Sequence, residues 1–290
     1  MLSSVVLPGS ARAQRDAAQA RIDTTIAFSA TGRIDLSVPA GDISVDGWDR
    51  DEVRVRGTSE RGDLELGITG TRLSVTASAV RRRLGATRLE VTVPRGASVS
   101  LRSHSGALSI RGIRGDVTAS ATSGSIETDD VRGGVSLTTV TGDIRGERLA
   151  GNTKAVAVNG NVALRNVEGE VYASTTNGRV LLSGIRSRSV RALSVNGIVE
   201  FEGTFDRAGT YEFQAHNGNI TIYLPDGAQA TLELGTYGGH VESDIPLTLG
   251  EGRLRGQQQF TFSLGGGGAT ISAQSHTGNI FIRRAPRTNR

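Results

Sequence analysis

The chain has 290 residues with no cysteine, one methionine, one tryptophan and 39 glycines, and 33 Lys+Arg against 29 Asp+Glu give a formal net charge of +4. The absence of cysteine excludes disulfide scaffolds, thiol catalysis, Cys-ligated zinc and iron–sulfur clusters. Six prolines without a three-residue glycine period exclude collagen, and the longest apolar run is far short of the ~20 residues of a membrane-spanning helix.

Residues 1–13 read as the tail of an export signal. A short apolar stretch, Leu2 to Leu7, precedes Pro8-Gly9, and Ala11-Arg12-Ala13 before Gln14 places small residues where a signal peptidase needs them. The charged leading region is missing, which an upstream start codon would explain; an ordinary terminus is the other reading. No cysteine follows the site, so a lipid-anchored lipoprotein is excluded. Residues 14–23 are polar and Ala-rich and are expected as a tether or a short frayed helix.

Residues 24–100 carry strand signals. Ile34-Asp35-Leu36-Ser37-Val38 alternates, as do Val53-Arg54-Val55 and Leu89-Glu90-Val91-Thr92-Val93. Val38-Pro39-Ala40-Gly41 and Val93-Pro94-Arg95-Gly96 are turn signals. This region is expected as an N-terminal β-cap of irregular coils, because a stack of coils must blunt its exposed sheet edges. The tight basic cluster Arg81-Arg82-Arg83 reads as a solvated loop. Elsewhere the two signs interleave, and Lys154 is the one lysine. A nucleic-acid partner would call for a basic stripe with aromatic stacking, so none is expected.

From residue 101 an internal repeat sets the architecture. A small polar residue, Gly, any residue and an aliphatic recur, as in Ser123-Gly124-Ser125-Ile126 and Asn159-Gly160-Asn161-Val162. The glycines are Gly106, Gly124, Gly142, Gly160 and Gly178 at steps of 18, then Gly197 and Gly218 at 19 and 21. A second glycine follows nine residues on, at Gly115, Gly133, Gly151 and Gly169. Later echoes stand at Gly238-Gly239-His240-Val241 and Thr277-Gly278-Asn279-Ile280. In one coil the apolar positions are Val162, Leu164, Val167, Val171 and Ala173.

Short alternating strands between glycine turns cannot bury one face alone, but stacked coils can. The fold class is therefore all-β: a single-stranded parallel β-solenoid of about 18 residues per coil over residues 101–284, with β caps. Residues 225–284 are expected to close the far end, and 285–290 to form a disordered tail. The aliphatic spacing of six that marks left-handed hexapeptide coils is absent, which favours a right-handed β-helix. The corner glycines form a structural turn ladder, and Asn159, Asn177, Asn196 and Asn217 are expected to stack beside them as an amide ladder.

A search for chemistry finds little. The histidines are His104, His216, His240 and His276. His104 and His216 lie six coils, roughly 29 Å, apart at ~4.8 Å per coil, so they cannot share a metal; corner hydrogen bonding is the expected role. A calcium ladder would need repeated oxygen ligands, yet the residues after the corner glycines run Ala107, Ser125, Asp143, Asn161 and Arg179. Asp129-Asp130 and Asp143 with Arg145 come nearest to the carboxylates of a β-helical polysaccharide lyase, but ion pairing on the surface explains them. Gly265 to Gly268 has no following Lys-Ser/Thr and is no phosphate loop. Neither a catalytic residue, a metal nor a cofactor is assigned. One outward face is a candidate binding surface: Thr118, Ser120, Thr138, Lys154, Tyr172 and Ser174, with Thr122, Ser136, Val140, Val156, Val158 and Thr176 between them. Such a flat β-branched face can hold a glycan or pack on another sheet; ordinary β-propensity on a solvated strand is the alternative.

Three features together resemble the bacterial putative-adhesin family of unknown function, akin to auto-transporter adhesin heads of the GIN type. They are Val38 to Ile43 followed by Gly47-Trp48, Val93-Pro94-Arg95-Gly96 leading into Arg102 to Gly106, and the Ser/Thr/Asn-Gly ladder. The resemblance covers about residues 30–284. It implies a β-solenoid at or beyond the cell envelope and brings no catalytic residues. The expected function is a non-enzymatic exported adhesin, scaffold or binding module in the periplasm, on the surface or outside the cell, with a surface glycan or envelope protein as partner. The alternatives are a glycan-active β-helix enzyme and a self-assembling cytosolic solenoid.

Overall fold

The computed structural model describes residues 20–60, 63–77, 87–249 and 258–286. Residues 1–13, most of the expected tether, Arg81-Arg82-Arg83 and residues 287–290 lie outside them. The described residues are all β, a continuous sheet wound into two-sided coils, and the expected solenoid is found.

Each coil lays down two short strands, such as Val117–Ser123 and Ile126–Val131, that meet at a corner glycine. Strands pair in parallel with the same strand of the coils before and after. Ile126 faces Leu108 on one side and Ile144 on the other. Side chains alternate across the strand, so every second residue points inward. The inward residues stack into columns. One runs Leu108, Ile126, Ile144, Val162, Val180, Val199, Ile220, Ile280, each at most 1% exposed. Burying a side chain of this size stabilises the fold by about 1.5–3 kcal/mol, so such columns supply much of the driving force.

The corner demands glycine because stacked backbones touch there. A Cβ on Gly124 would run into the carbonyl oxygen of Gly106, and Gly142 stands in the same relation to Gly124. That clash, repeated coil after coil, is why the 18-residue period is visible. Of the glycines that follow Asn159, Asn177, Asn196 and Asn217, three, Gly178, Gly197 and Gly218, have a positive φ, and the asparagines do not. A separate column does place non-glycine residues in the left-handed region: Asp130, Arg148 and Asn166, at φ 50°, 53° and 53°, between Gly112 at 68° and Gly184 at 64°. These residues recur at the same place in successive coils.

The ends depart from a simple stack. The strand Arg33–Trp48, expected within a cap of irregular coils, is a complete coil. Its two halves pair in parallel with residues 98–113 on one side and with Arg72–Ala77 and Thr87–Pro94 on the other. The chain's first coil is thus interior in space, and a later segment lies outside it. At the far end 269–284 slips between 210–224 and 230–243 rather than following them. Antiparallel strands finish both ends, Leu64–Thr69 and Glu52–Ser59 at one, Gln258–Leu264 at the other. Strand Ala20–Ala27 pairs antiparallel with Glu52–Ser59, so regular structure begins inside the segment expected as a tether. A buried aromatic knot of Phe201, Tyr211 and Phe213, with Phe205 against it, fills the coils where the repeat lengthens.

Candidate functional site

The two flanks differ in chemistry. One is built from the strands that follow Gly115 and its equivalents. The other is built from the strands that follow Gly106 and its equivalents. On the second flank the middle coils carry charged, paired outward residues: Arg145 lies 2.8 Å from Asp143 and 3.7 Å from Glu127, and Arg148 bridges Asp129 and Glu147. Of the carboxylates weighed for lyase chemistry, Asp129 and Asp143 are engaged in these surface ion pairs, and Asp130 lies 3.9 Å from Arg132. At exposed positions such pairs stabilise by at most about 1 kcal/mol.

On the first flank, outward residues form three rows parallel to the stack. Thr118, Ser136, Lys154, Tyr172, Arg191 and Glu212 succeed one another in one row. Lys154 Nζ sits 5.9 Å from the centre of the Tyr172 ring, and Arg191 is 3.2 Å from Glu212. The middle row runs Ser120, Thr138, Val156, Ser174, Leu193, Gln214, Gln274 and Gly235. The six residues singled out in the sequence thus share this flank. The third row precedes the ladder asparagines and exposes Val140, Val158 and Val195. It ends in rings: His216 stacks on His276 at 4.7 Å, and Tyr237 stacks on His276 at 5.2 Å, all nearly parallel.

Hydrogen-bond ladders stiffen the edge beside this row. Asn177 donates to Asn159, Asn196 to Asn177 and Asn217 to Asn196, each at 2.8 Å, and the Thr277 hydroxyl donates to Asn217 at 3.3 Å. The expected amide ladder is present, and Thr277 extends it. A second ladder is one residue past the glycine: the Asp143 carboxylate accepts the Asn161 N–H, and the Asn161 side chain accepts the Arg179 N–H, both at 2.9 Å. Inside the corner, Thr139, Thr175 and Ser194 hydroxyls donate to the carbonyls of Gly124, Gly160 and Gly178. These three hydroxyls are thereby satisfied without water.

Between the middle and third rows, toward the C-terminal end, the surface dips into a groove of about 420 Å³. Its walls come from adjacent strands in the spatial order Val171–Asn177, Val180–Asn196, Val199–Asn217, Ala269–Ser275 and Ala230–Thr236. Ser174 belongs both to the sequence-derived face and to this groove; Thr118, Ser120, Thr138, Lys154 and Tyr172 lie outside it. No Asp, Glu, Lys or Arg lines it. His216 and His276, expected to hydrogen-bond at corners, present stacked rings here instead. The signal was available in His216-Asn217-Gly218-Asn219-Ile220 and His276-Thr277-Gly278-Asn279-Ile280, which match each other closely.

Elsewhere Tyr211 is buried; its hydroxyl donates to the Ser187 carbonyl at 2.6 Å and accepts the Asp206 N–H at 2.8 Å. Desolvation pushes its pKa up. The Ala208 N–H and then Arg188 hold the exposed Asp206 carboxylate below its ordinary value. Both groups hold a turn together and lie away from the groove.

Solved structures include distant neighbours of this chain, among them the following three. A putative lipid binding protein from Parabacteroides distasonis is 11% identical, with 90% of this chain and 96% of that one covered and a TM-score of 0.52. A putative adhesin from Bacteroides fragilis is 10% identical over 90% and 96%, with a TM-score of 0.41. A putative cell adhesion protein from Clostridium sporogenes is 10% identical over 91% and 100%, with a TM-score of 0.26. The first of these shares the fold. No curated protein matches. The family described as Toastrack DUF4097 matches residues 32–283.

Proposed function

The chain belongs to the Toastrack DUF4097 family, and from that premise we propose that it is a non-enzymatic, exported binding module, an adhesin or envelope scaffold of the GIN-type head kind. One observation carries the reading: the flanks are chemically unequal. The flank bearing Asp143, Arg145 and Glu147 presents ion pairs, whereas toward the C-terminal end the other confines its charges to the row of Lys154, Arg191 and Glu212 and leaves its other rows uncharged. On this flank the third row keeps Val140, Val158 and Val195 in solvent, with Thr176 between the last two, and ends in the His216, His276 and Tyr237 rings. Apolar side chains exposed together on a paired sheet face are a feature of interaction faces. Export is supported by the signal-like Leu2 to Ala13 segment.

The test is binding of the purified full chain to bacterial envelope fractions, beside fractionation of expressing cells. Charged substitutions Val158→Glu and Val195→Glu together are expected to abolish envelope binding, whereas Arg165→Ala on the opposite flank leaves it intact. N-terminal sequencing is expected to find a mature chain starting at Gln14 outside the cytosol. Turnover of a polysaccharide by the wild type, or an uncleaved cytosolic chain, would overturn the reading.

A further inference from the structure

We propose, resting on the binding-module reading, that the groove floored by the Ser174, Leu193, Gln214 and Gln274 positions and walled by the His216–His276–Tyr237 stack binds a neutral polysaccharide chain lying along the solenoid axis.

The shape selects an elongated ligand. The groove crosses five adjacent strands, so it extends about 19 Å at the ~4.8 Å strand spacing. Beneath it the core is filled by Ala173, Ala192, Phe213, Ala273 and Leu234, all fully buried. A ligand therefore lies on a packed floor and cannot thread an acyl chain into the interior. The strands of the floor already pair on both sides, so an added polypeptide strand would find no free ladder to extend.

The chemistry selects a neutral, hydroxyl-rich ligand. The lining offers the Ser174 and Thr176 hydroxyls, the Gln214 and Gln274 amides and imidazole nitrogens, groups that donate or accept hydrogen bonds, and no Asp, Glu, Lys or Arg. The buried Thr175, Ser194, Thr236 and Ser275 hydroxyls donate to backbone carbonyls beneath them. A polyanion would meet no Lys or Arg there, and a polycation no carboxylate. Gln214 is held in place by Glu212 beyond the rim, to which its amide donates at 2.6 Å. Aromatic surface completes the match. Tyr237 is 69% exposed at the end of its stack. A ring of this kind offers an electron-rich face to the C–H side of a sugar and a hydroxyl to its polar edge. Because neighbouring coils fix the ring stack, little rotamer freedom is lost on binding.

The experiment uses the full chain against immobilised dextran, yeast mannan, laminarin and galactan, with alginate as a polyanion, phosphatidylcholine vesicles as a lipid surface, and envelope fractions in parallel. Saturable binding to at least one neutral polysaccharide is expected. Tyr237→Ala and Gln274→Ala should each weaken it about tenfold, as loss of a central contact does. Arg165→Ala on the charged flank should change it less than about twofold. Both groove residues are exposed, and matching melting curves would establish that the variants are folded. Binding to neutral polysaccharide that ignores the groove variants overturns the proposal. So does binding only to alginate, to vesicles or to a protein component of the envelope, although the binding-module reading would survive these outcomes. Binding to nothing, envelope fractions included, overturns both.

Discussion

The imidazole of His276 lies flat on that of His216, centroids 4.7 Å apart and planes within 4°, although the strand Ala230–Thr236 intervenes in the sequence. The contact exists because the last described coil inserts beside 210–224 and pushes 230–243 one place outward. The stacked wall of the groove is thus a product of chain order at the C-terminal end.

The glycine seam makes a prediction about steric cost. Gly160 does not have a positive φ, yet its Cβ would strike the Gly142 carbonyl. Gly70 has φ +58° and open space around it. Gly160→Ala should destabilise by about 3 kcal/mol or more through backbone displacement, and Gly70→Ala by about 1–2 kcal/mol through conformation alone. Urea unfolding of both variants measures the difference, and equal losses would show that the seam is not sterically closed.

The amide ladder should weaken by position. Asn177 both donates to Asn159 and accepts from Asn196, whereas only Asn177 bonds to the Asn159 side chain within the ladder. Asn177→Ala is expected to cost about 1–2 kcal/mol and Asn159→Ala about half as much. Denaturant midpoints at constant slope report the two values.

A substitution should also stabilise the fold. Asp130 holds φ 50° in a column where Gly112 and Gly184 occupy the equivalent places. Its side chain has only a 3.9 Å approach to Arg132. Asp130→Gly should raise stability by about 1 kcal/mol, since relief of the left-handed strain exceeds the extra backbone freedom of the unfolded chain. A lowered thermal midpoint would contradict this.

The buried Tyr211 hydroxyl serves two backbone groups, Ser187 C=O and Asp206 N–H. Tyr211→Phe leaves both without their partner and should cost about 1–3 kcal/mol. Calorimetry would detect it, because the ring packing with Phe201 and Phe205 is retained.

The same turn carries a pH dependence. The Ala208 N–H and Arg188 lower the Asp206 pKa below 3.8 in the folded state. A carboxylate with a depressed folded pKa contributes stability above its unfolded value and loses it as the pH falls through the folded one. Asp206→Asn should therefore reduce the drop in melting temperature between pH 5 and pH 2. An unchanged drop would mean that the turn contributes nothing to acid lability.

Where the sequence was legible, a steric rule made it so. Gly106, Gly124, Gly142, Gly160 and Gly178 recur because no side chain fits between stacked corners, and a requirement repeated every coil becomes a period. The order of coils at the ends follows from through-space packing, which a linear period does not encode. Two traces were nevertheless present. Gly41-Asp42-Ile43 repeats Gly142-Asp143-Ile144 and marks Arg33–Trp48 as a coil in register with the later ones. Thr277-Gly278-Asn279-Ile280 resembles Asn217-Gly218-Asn219-Ile220 more closely than Gly238-Gly239-His240-Val241 does, and 269–284 is what lies on 210–224. The candidate groove was half visible: Ser174 and Thr176 lay on the face read from the repeat, but Tyr237 and His276 joined it only through the inserted coil.

The interleaved ends also bear on how this molecule would respond to tension. A solenoid whose outermost coil is also its last in sequence can be unzipped from the tip, one hydrogen bond at a time. Here a pull on the chain beyond residue 284 reaches a coil held between 210–224 and 230–243, and a pull ahead of residue 33 reaches a coil held between 72–94 and 98–113 once the Ala20–Ala27 strand has been stripped. Extracting either coil shears two rows of backbone bonds together, so the rod is clasped at both ends against mechanical unravelling.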